Sequence, residues 1–213
     1  MTSLSEKGES VMANLNTPFG FLQSRGTGSS PTYEQVTALI AANNNTPIFY
    51  GDPVSFVTPA TGYIQQAVPG TATLAGIFIG CKYQSVSQKH VVWSRYWPGS
   101  DANGDVEAYI INDPNAQFLV QGGNVAITNA QIGQLIQFAV GIGNTATGSS
   151  GAYVQGVGSA ATLPFRITAL ETFPPGAPGT DATTAYNRVF VAFNNVITRN
   201  NGATVGIQLV EAK

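Results

Sequence analysis

The sequence predicts an all-β protein, a sandwich or barrel of short antiparallel strands with at most one or two short helices. Runs rich in Val, Ile, Phe, Tyr and Thr recur at short intervals, and turn-forming residues separate them. Several runs alternate or are apolar on both faces, as expected where some strands are buried on both sides. Long helical patterns do not lie between the runs, which argues against parallel βαβ units.

Ten segments have this strand pattern. They are TPIFYGDPVSFV, TGYIQQAV, TLAGIFIGCKY, KHVVWSRYW, DVEAYIIN, AQFLVQ, LIQFAVGI, PFRITAL, NRVFVAFN and TVGIQLVE. The helix candidates are PTYEQVTALIAA (31–42) and a turn at Asn129–Gln134 with Thr128 as its cap. Asn103-Gly104 is a strong hairpin signal, because both positions of a type I′ turn need positive φ. It predicts that KHVVWSRYW and DVEAYIIN form a hairpin.

The segment before these strands predicts an extended arm. Residues 13–31 contain apolar side chains without a sustained period of 2 or 3.6, and they end in a Gly/Ser-rich joint. We therefore divide the chain into a flexible or extended arm at 1–32 and a single β domain at 33–213. Aromatic residues on an arm need a surface, which is either the protein's own body or a neighbouring subunit. The candidate anchors are Leu15, Phe19, Phe21, Leu22 and Arg25.

Two further joints are long and rich in small residues, at 141–162 and 172–184. Loops of this length inside a compact domain are usually functional or mobile. We expect both to be loops.

Composition narrows the functional classes. Charged residues make up 9% of the chain, against roughly 25% in ordinary soluble proteins. A polar but uncharged surface is cheap to desolvate, so it suits a protein that other subunits cover. The net charge of −2 and the lack of a basic cluster argue against nucleic acid as a partner. The lack of an 18-residue apolar window argues against a membrane span, and MTSLSEKGES lacks the apolar core of a secretory signal.

Reactive chemistry is not indicated. His90 is the single histidine, and the chain lacks a G-x-S-x-G motif to accompany it. GIGNTA mimics a dinucleotide-binding turn, but the TGSSGAYVQG that follows cannot sustain the helix that such a site needs. Cys81 is the single cysteine and is expected to be a small buried apolar residue. We expect no enzyme and no cofactor.

One acidic joint resembles the start of a calcium loop. Its glycine falls at the fourth position instead of the sixth, and its twelfth residue is Asn112 instead of glutamate. An acidic hairpin turn explains the pattern better, so we expect no metal. The residues concerned are Asp101, Asn103, Asp105 and Glu107.

The stretch QKHVVWSRYWPG (88–99) holds both tryptophans of the chain. In a continuous strand, Trp93, Arg95 and Trp97 share one face. The two indoles would then enter a core or a subunit seam with the Arg95 guanidinium held between them.

Seven segments together resemble a group of small virion proteins of tailed bacteriophages, usually encoded near the major capsid protein. Some members of this group act as head decoration (cement) proteins. The resemblance covers roughly residues 13–194 and includes no enzymatic motif. The segments are NTPFGFLQSRGTGSSPTY, IFIGCKY, WSRYWPG, DVEAYIINDPNAQFLVQ, AVGIGNTATGSSGAYV, LPFRITAL and NRVFVAFNN.

For a cement protein, the resemblance implies a homotrimer made in the host bacterial cytoplasm and seated on the capsid surface of the virion. Its partners would be the major capsid protein and further copies of itself, and its arm would add a strand to a neighbouring subunit or fill a groove on it. Two alternatives stay open. One is another virion part, such as a head-fibre base, a tail protein or an adaptor. The other is a glycan-binding β module whose tryptophans stack on sugar rings.

Overall fold

The structure is a computed structural model that describes residues 13–26, 35–58 and 61–198. These residues form twelve strands and one short 3-10 helix at Asn129–Gln131. The strands, in chain order, are β1 (Leu22–Arg25), β2 (Val36–Ile40), β3 (Pro53–Phe56), β4 (Ile64–Gln66), β5 (Gly76–Gln84), β6 (Val91–Ser94), β7 (Val106–Ile111), β8 (Gln117–Gln121), β9 (Leu135–Ala139), β10 (Tyr153–Gly158), β11 (Phe165–Leu170) and β12 (Arg188–Phe193). No helix in the described part of the chain is long and apolar enough to cross a membrane.

Two antiparallel sheets pack as a sandwich, which confirms the predicted all-β class. The first sheet has the strand order β1-β8-β12-β11-β9-β10, and the second has the order β2-β7-β5-β3-β4, with β6 also paired to β5. Both sheets curl. In the first sheet, an isolated bridge joins Val154 of the end strand β10 to Gly122, the residue after β8. In the second sheet, a bridge joins Leu39 of the end strand β2 to Tyr63, the residue before β4 at the other end.

The larger hydrophobic core lies inside the first sheet and extends to the β5 and β7 side chains of the second. Phenylalanine rings dominate it: Phe165 stacks on Phe21 at 4.5 Å and on Phe193 at 5.7 Å. Phe118 meets Phe193 edge to face at 5.1 Å. Each buried phenylalanine stabilises the fold by about 1.5–3 kcal/mol. Because this core contains side chains of both sheets, it holds the two sheets together.

A smaller core fills the curl of the second sheet. Trp97 is 0% exposed, and its indole meets the Tyr83 ring edge to face at 5.1 Å. Cys81 lies in the same core, as predicted, and burial raises the pKa of its thiol to about 12. The thiol is therefore an apolar packing group at neutral pH.

Three elements differ from the sequence prediction. Residues 36–40 of the predicted helix form strand β2, which pairs along its length with β7, whereas 31–34 lie outside the described residues. Strand β10 lies within the segment expected to be a loop at 141–162, and β1 lies within the expected arm. In each case the pairing partner comes from elsewhere in the chain, so local composition does not reveal the strand.

The predicted hairpin is also wrong. Strand β6 pairs with β5, and β7 pairs with the opposite edge of β5, so β6 and β7 are not neighbours. The backbone bends at Asn103-Gly104, but only Gly104 has a positive φ, of +98°, so the predicted type I′ turn is absent there. The Asn103 N–H donates to the Gln84 carbonyl. The segment between β6 and β7 thus crosses the end of β5. The predicted strand TVGIQLVE lies outside the described residues.

Candidate interaction surface

Residues 13–26 lie on the body of their own chain, which is one of the two surfaces considered for the arm. Phe21 is 1% exposed and belongs to the larger core. The Gly20 N–H donates to the Ala152 carbonyl at 3.2 Å, and the Phe21 N–H donates to the Gly51 carbonyl at 3.0 Å. These residues are therefore part of the β body, and Phe21 is a core residue instead of a partner anchor.

Asn14 fastens this segment to the long loop at 172–184 and to the residues just after it. Its Nδ2 donates to the Asp181 carbonyl at 2.8 Å and to Thr184 Oγ1 at 2.9 Å, and its Oδ1 accepts the Gly179 N–H at 3.0 Å. The side chain is buried. An asparagine in an unpatterned segment has no sequence signal of this kind, so Asn14 was not predicted as an anchor.

The other four predicted anchors differ in exposure. Leu15 is 63% exposed, and Arg25 is exposed at the end of β1. Leu22 is half-buried, and the half-buried Phe19 ring lies 5.2 Å from the Arg188 guanidinium carbon. Leu15 and Arg25 are the anchors that remain available to a partner, and their role stays a prediction.

The two tryptophans are separated by a bend. Strand β6 ends at Ser94, and the backbone bends at 95–96, so the alternation that would place Trp93 and Trp97 on one face is interrupted. Trp97 turns into the smaller core, where its Nε1 donates to the Asn44 carbonyl at 3.2 Å. Trp93 stays 68% exposed. The prediction that Arg95 lies between them is wrong, because its guanidinium carbon lies 4.4 Å from the Tyr50 ring centroid.

Trp93 begins a row of side chains that crosses four strands of the second sheet. Trp93 is opposite Lys82, Lys82 is also opposite Glu107, and Glu107 is opposite Leu39. Because directly opposed residues of paired strands point to the same side, the row shares one face. Tyr109 lies on that face two residues along β7. We call Trp93, Lys82, Glu107, Tyr109 and Leu39 the outer-face cluster.

The cluster is ordered by contacts among its own members. The Trp93 and Tyr109 rings are parallel within 3°, with centroids 5.8 Å apart, and Lys82 Nζ lies 5.0 Å from the Trp93 centroid. Lys82 Nζ is 2.7 Å from Glu107 Oε2, and its hydrogen bond lowers the pKa of Glu107. The aromatic pair and the charged pair are thus held together on the surface.

A β-bulge in β5 explains why Lys82 lies on this solvent-exposed face. The pairing of β5 with β7 shifts register between Phe78 and Gly80. Ile77, before the bulge, and Ile79, the extra residue in it, pack against the larger core, whereas Lys82 lies beyond the bulge. An extra residue reverses the alternation, so Lys82 continues the face that Ile77 begins. The first sheet covers one end of this face and leaves the other end to solvent.

A buried carboxyl group lies where the two sheets meet. Asp52 is 1% exposed, and its Oδ2 accepts the Phe49 N–H and the Gln66 side-chain amide, each at 2.8 Å. Its Oδ1 hydrogen bonds with the Ser150 hydroxyl, on the loop before β10. Burial raises the pKa of Asp52, although these three hydrogen bonds oppose the shift. The arrangement ties the second sheet to the first, with neutral groups as its partners.

The side chains considered for catalysis or metal binding do not form one site. The exposed His90 has Nδ1 2.9 Å from the Gln88 carbonyl oxygen. Asp101 Oδ2 accepts the Ser85 hydroxyl at 2.7 Å, and Asp105 Oδ2 accepts the Tyr63 hydroxyl at 2.8 Å, whereas Glu107 binds Lys82. Within 13–26, 35–58 and 61–198, no three His, Cys, Asp or Glu residues are grouped to hold a metal ion.

A cleft of about 640 Å³ lies beside β4. Side-chain amides line one part of it, and apolar residues including Val68, Pro69 and Val140 line another. Its described lining contains no charged side chain and no histidine. The cleft offers hydrogen bonds and apolar contact, and Tyr63 is the titratable side chain in its described lining.

Comparisons with protein-family models, with curated proteins and with solved structures found no match for this chain.

Proposed function

We propose that the protein is a capsid decoration (cement) protein of a tailed bacteriophage, which binds the outside of the head and stabilises contacts between capsid subunits. The observation that carries the proposal is the surface. Charged residues make up 9% of the chain, yet thirteen large apolar side chains are exposed among the described residues. Surfaces that combine apolar patches with few charges are typical of proteins that other subunits cover. The resemblance described above supports the same role.

The exposed apolar residues occur at several separate places. Ile142 is 98% exposed and Phe173 is also highly exposed, and each lies on one of the two long loops. Phe56, Val68 and Ile197 line a common groove beside β3 and β4. A subunit that bridges several neighbours needs several contact sites, and this distribution provides them.

Multivalent attachment is the mechanism by which such a protein would strengthen a shell. A pressurised shell fails at the seams between subunits. A trimer that spans a seam binds through several copies of the same surface, so once one copy is attached the others bind at high effective concentration. We propose that the protein acts as such a homotrimer, with the major capsid protein as its partner and no catalytic role.

The test uses capsid shells that lack the protein. Purified protein is added to expanded shells, and the temperature at which they release DNA or collapse is measured. We expect a higher temperature, and saturation at a copy number near that of the capsid subunit. A double variant, Ile142→Asp with Phe173→Asp, should fold normally but bind weakly, because it places charge on two exposed apolar loop residues. Unchanged shells at saturating protein, or protein found only with tails, would contradict the proposal.

A further inference from the structure

We propose that the outer-face cluster is a carbohydrate-binding site. This site does not depend on the role in the head, since a decoration protein and any other virion part can each carry one. Its core is the exposed indole of Trp93, and its polar groups are Lys82, Glu107 and Tyr109.

Trp93 provides the stacking surface. The side chain is 68% exposed although it is the largest on its strand, and the parallel Tyr109 ring fixes its orientation. The C–H faces of pyranose rings pack on flat aromatic surfaces of this kind, and an indole fixed in advance loses little conformational entropy on binding. Leu39, by contrast, is a branched aliphatic residue that offers no flat face.

The charged pair supplies hydrogen bonds for sugar hydroxyl groups. Lys82 Nζ lies 5.0 Å from the Trp93 centroid and 2.7 Å from Glu107 Oε2, so donor and acceptor are close to the stacking surface and to each other. A hydroxyl group is both donor and acceptor, and it can bridge such a pair. Hydrogen bonds to charged groups are also stronger than those between neutral groups.

The same pair argues against a protein as the occupant. Covering Lys82 and Glu107 with a protein surface would remove water from both charges, at a cost that their mutual attraction does not always offset. Interface cores are accordingly poor in Lys and Glu. A glycan leaves water around the charges and replaces some of it with hydroxyl groups. The open geometry agrees with this, because β6 is an edge strand that pairs with β5 alone among the described strands.

The two tryptophans allow a direct assay. In the Trp97→Phe variant, all indole fluorescence comes from Trp93, which would report a sugar stacked on its ring. The probes are hexasaccharides of glucose, of N-acetylglucosamine and of galactose, together with a bacterial O-polysaccharide. We expect a saturable change in Trp93 emission with at least one probe. Isothermal titration with the unmodified protein gives the same affinity independently, should Trp97→Phe fail to fold.

Variants then locate the site. We expect Trp93→Ala to weaken the binding of that probe at least tenfold, and Lys82→Met or Glu107→Gln to weaken it severalfold. Phe173→Ala removes an exposed aromatic residue elsewhere and should leave binding unchanged. Circular dichroism checks that each variant is folded.

Two results would overturn the proposal. One is that no probe binds at about 10 mM, a concentration at which even weak sites fill. The other is that a probe binds equally well to Trp93→Ala. If Trp93 emission instead responds only to protein concentration, the cluster is a contact between copies of this chain, and the carbohydrate assignment is wrong.

Discussion

The two faces of the second sheet each carry a Trp–Tyr pair, and the two pairs differ in ring geometry and burial. The inner face holds Trp97 and Tyr83 in edge-to-face contact, fully enclosed. The outer face holds Trp93 and Tyr109 in parallel contact, with Trp93 open to solvent. The two tryptophans are four residues apart in the sequence, yet Trp97 is buried and Trp93 is exposed. Residue type thus predicts that each tryptophan packs against another aromatic ring. The position of the tryptophan relative to the bend at 95–96 decides whether it is buried or exposed.

The arm repeats this division. Phe21 lies in the larger core, whereas Leu15, six residues earlier, is exposed. Asn14 and Asp52 are buried polar residues whose hydrogen bonds hold segments of the chain that buried apolar side chains also hold in place. Buried side chains therefore hold the molecule together, whereas exposed side chains remain available to partners.

The largest expected effect is that of Trp97→Ala. Removing a fully buried indole leaves a cavity and removes its hydrogen bond to the Asn44 carbonyl, so we expect a loss of about 3–5 kcal/mol in the free energy of unfolding. Urea denaturation followed by circular dichroism measures it. A loss below about 1 kcal/mol would mean that the smaller core does not depend on this ring.

Phe21→Ala should cost a similar amount, about 3–5 kcal/mol, because the ring stacks on Phe165 inside the larger core. Phe173→Ala is the matched control, since that ring is exposed. Urea titrations of both variants compare them directly. Equal stabilities would show that Phe21 does not belong to the core.

Asn14→Ala should cost about 1–3 kcal/mol, because it leaves buried hydrogen-bonding groups of the 172–184 loop unpaired. Asn16→Ala is the control, since Asn16 is exposed two residues away. Limited proteolysis adds a local readout, with faster cleavage near residues 13–20 in the Asn14 variant alone. The same cleavage rate in both variants would contradict this anchoring role.

Asp52 should give the chain a pH-dependent stability of defined sign. Because burial raises the pKa of Asp52, its contribution to the free energy of unfolding is fully present below its ordinary pKa of 3.8 and is lost as the pH rises through the raised value. The stability of the wild type minus that of Asp52→Asn should therefore fall with increasing pH. Urea titrations across this range measure the difference.

Asp101→Asn is the control for this pH series. Hydrogen bonds, first from Ser85, lower the pKa of Asp101, so its contribution is lost as the pH falls and its difference curve slopes the other way. Difference curves of equal slope for Asp52 and Asp101 would contradict the assignment.

Trp93→Ala should have the smallest effect on stability, within about 0.5 kcal/mol, because most of its surface is already in solvent. The melting temperature should barely change, even though carbohydrate binding is lost. A loss as large as that of Trp97→Ala would end the distinction between the two faces.

The sequence by itself determined the all-β class, because period-2 runs of β-branched and aromatic residues separated by turns have few other solutions. It also determined that Cys81 is a buried apolar residue. Both conclusions depend on local pattern, and nearby residues contain the whole signal.

Only the tertiary structure decided the rest. The local sequence of β2 predicts a helix, but the segment forms a strand because it pairs with β7. The local sequence of β10 predicts a loop, but it forms a strand because it pairs with β9. The bend after β6 and the bulge in β5 separate Trp93 from Trp97 and place Lys82 beside the exposed ring. These features arise from pairing between distant segments, whose free energy is gained only when the partner strand is present, and so no local window of the sequence contains them.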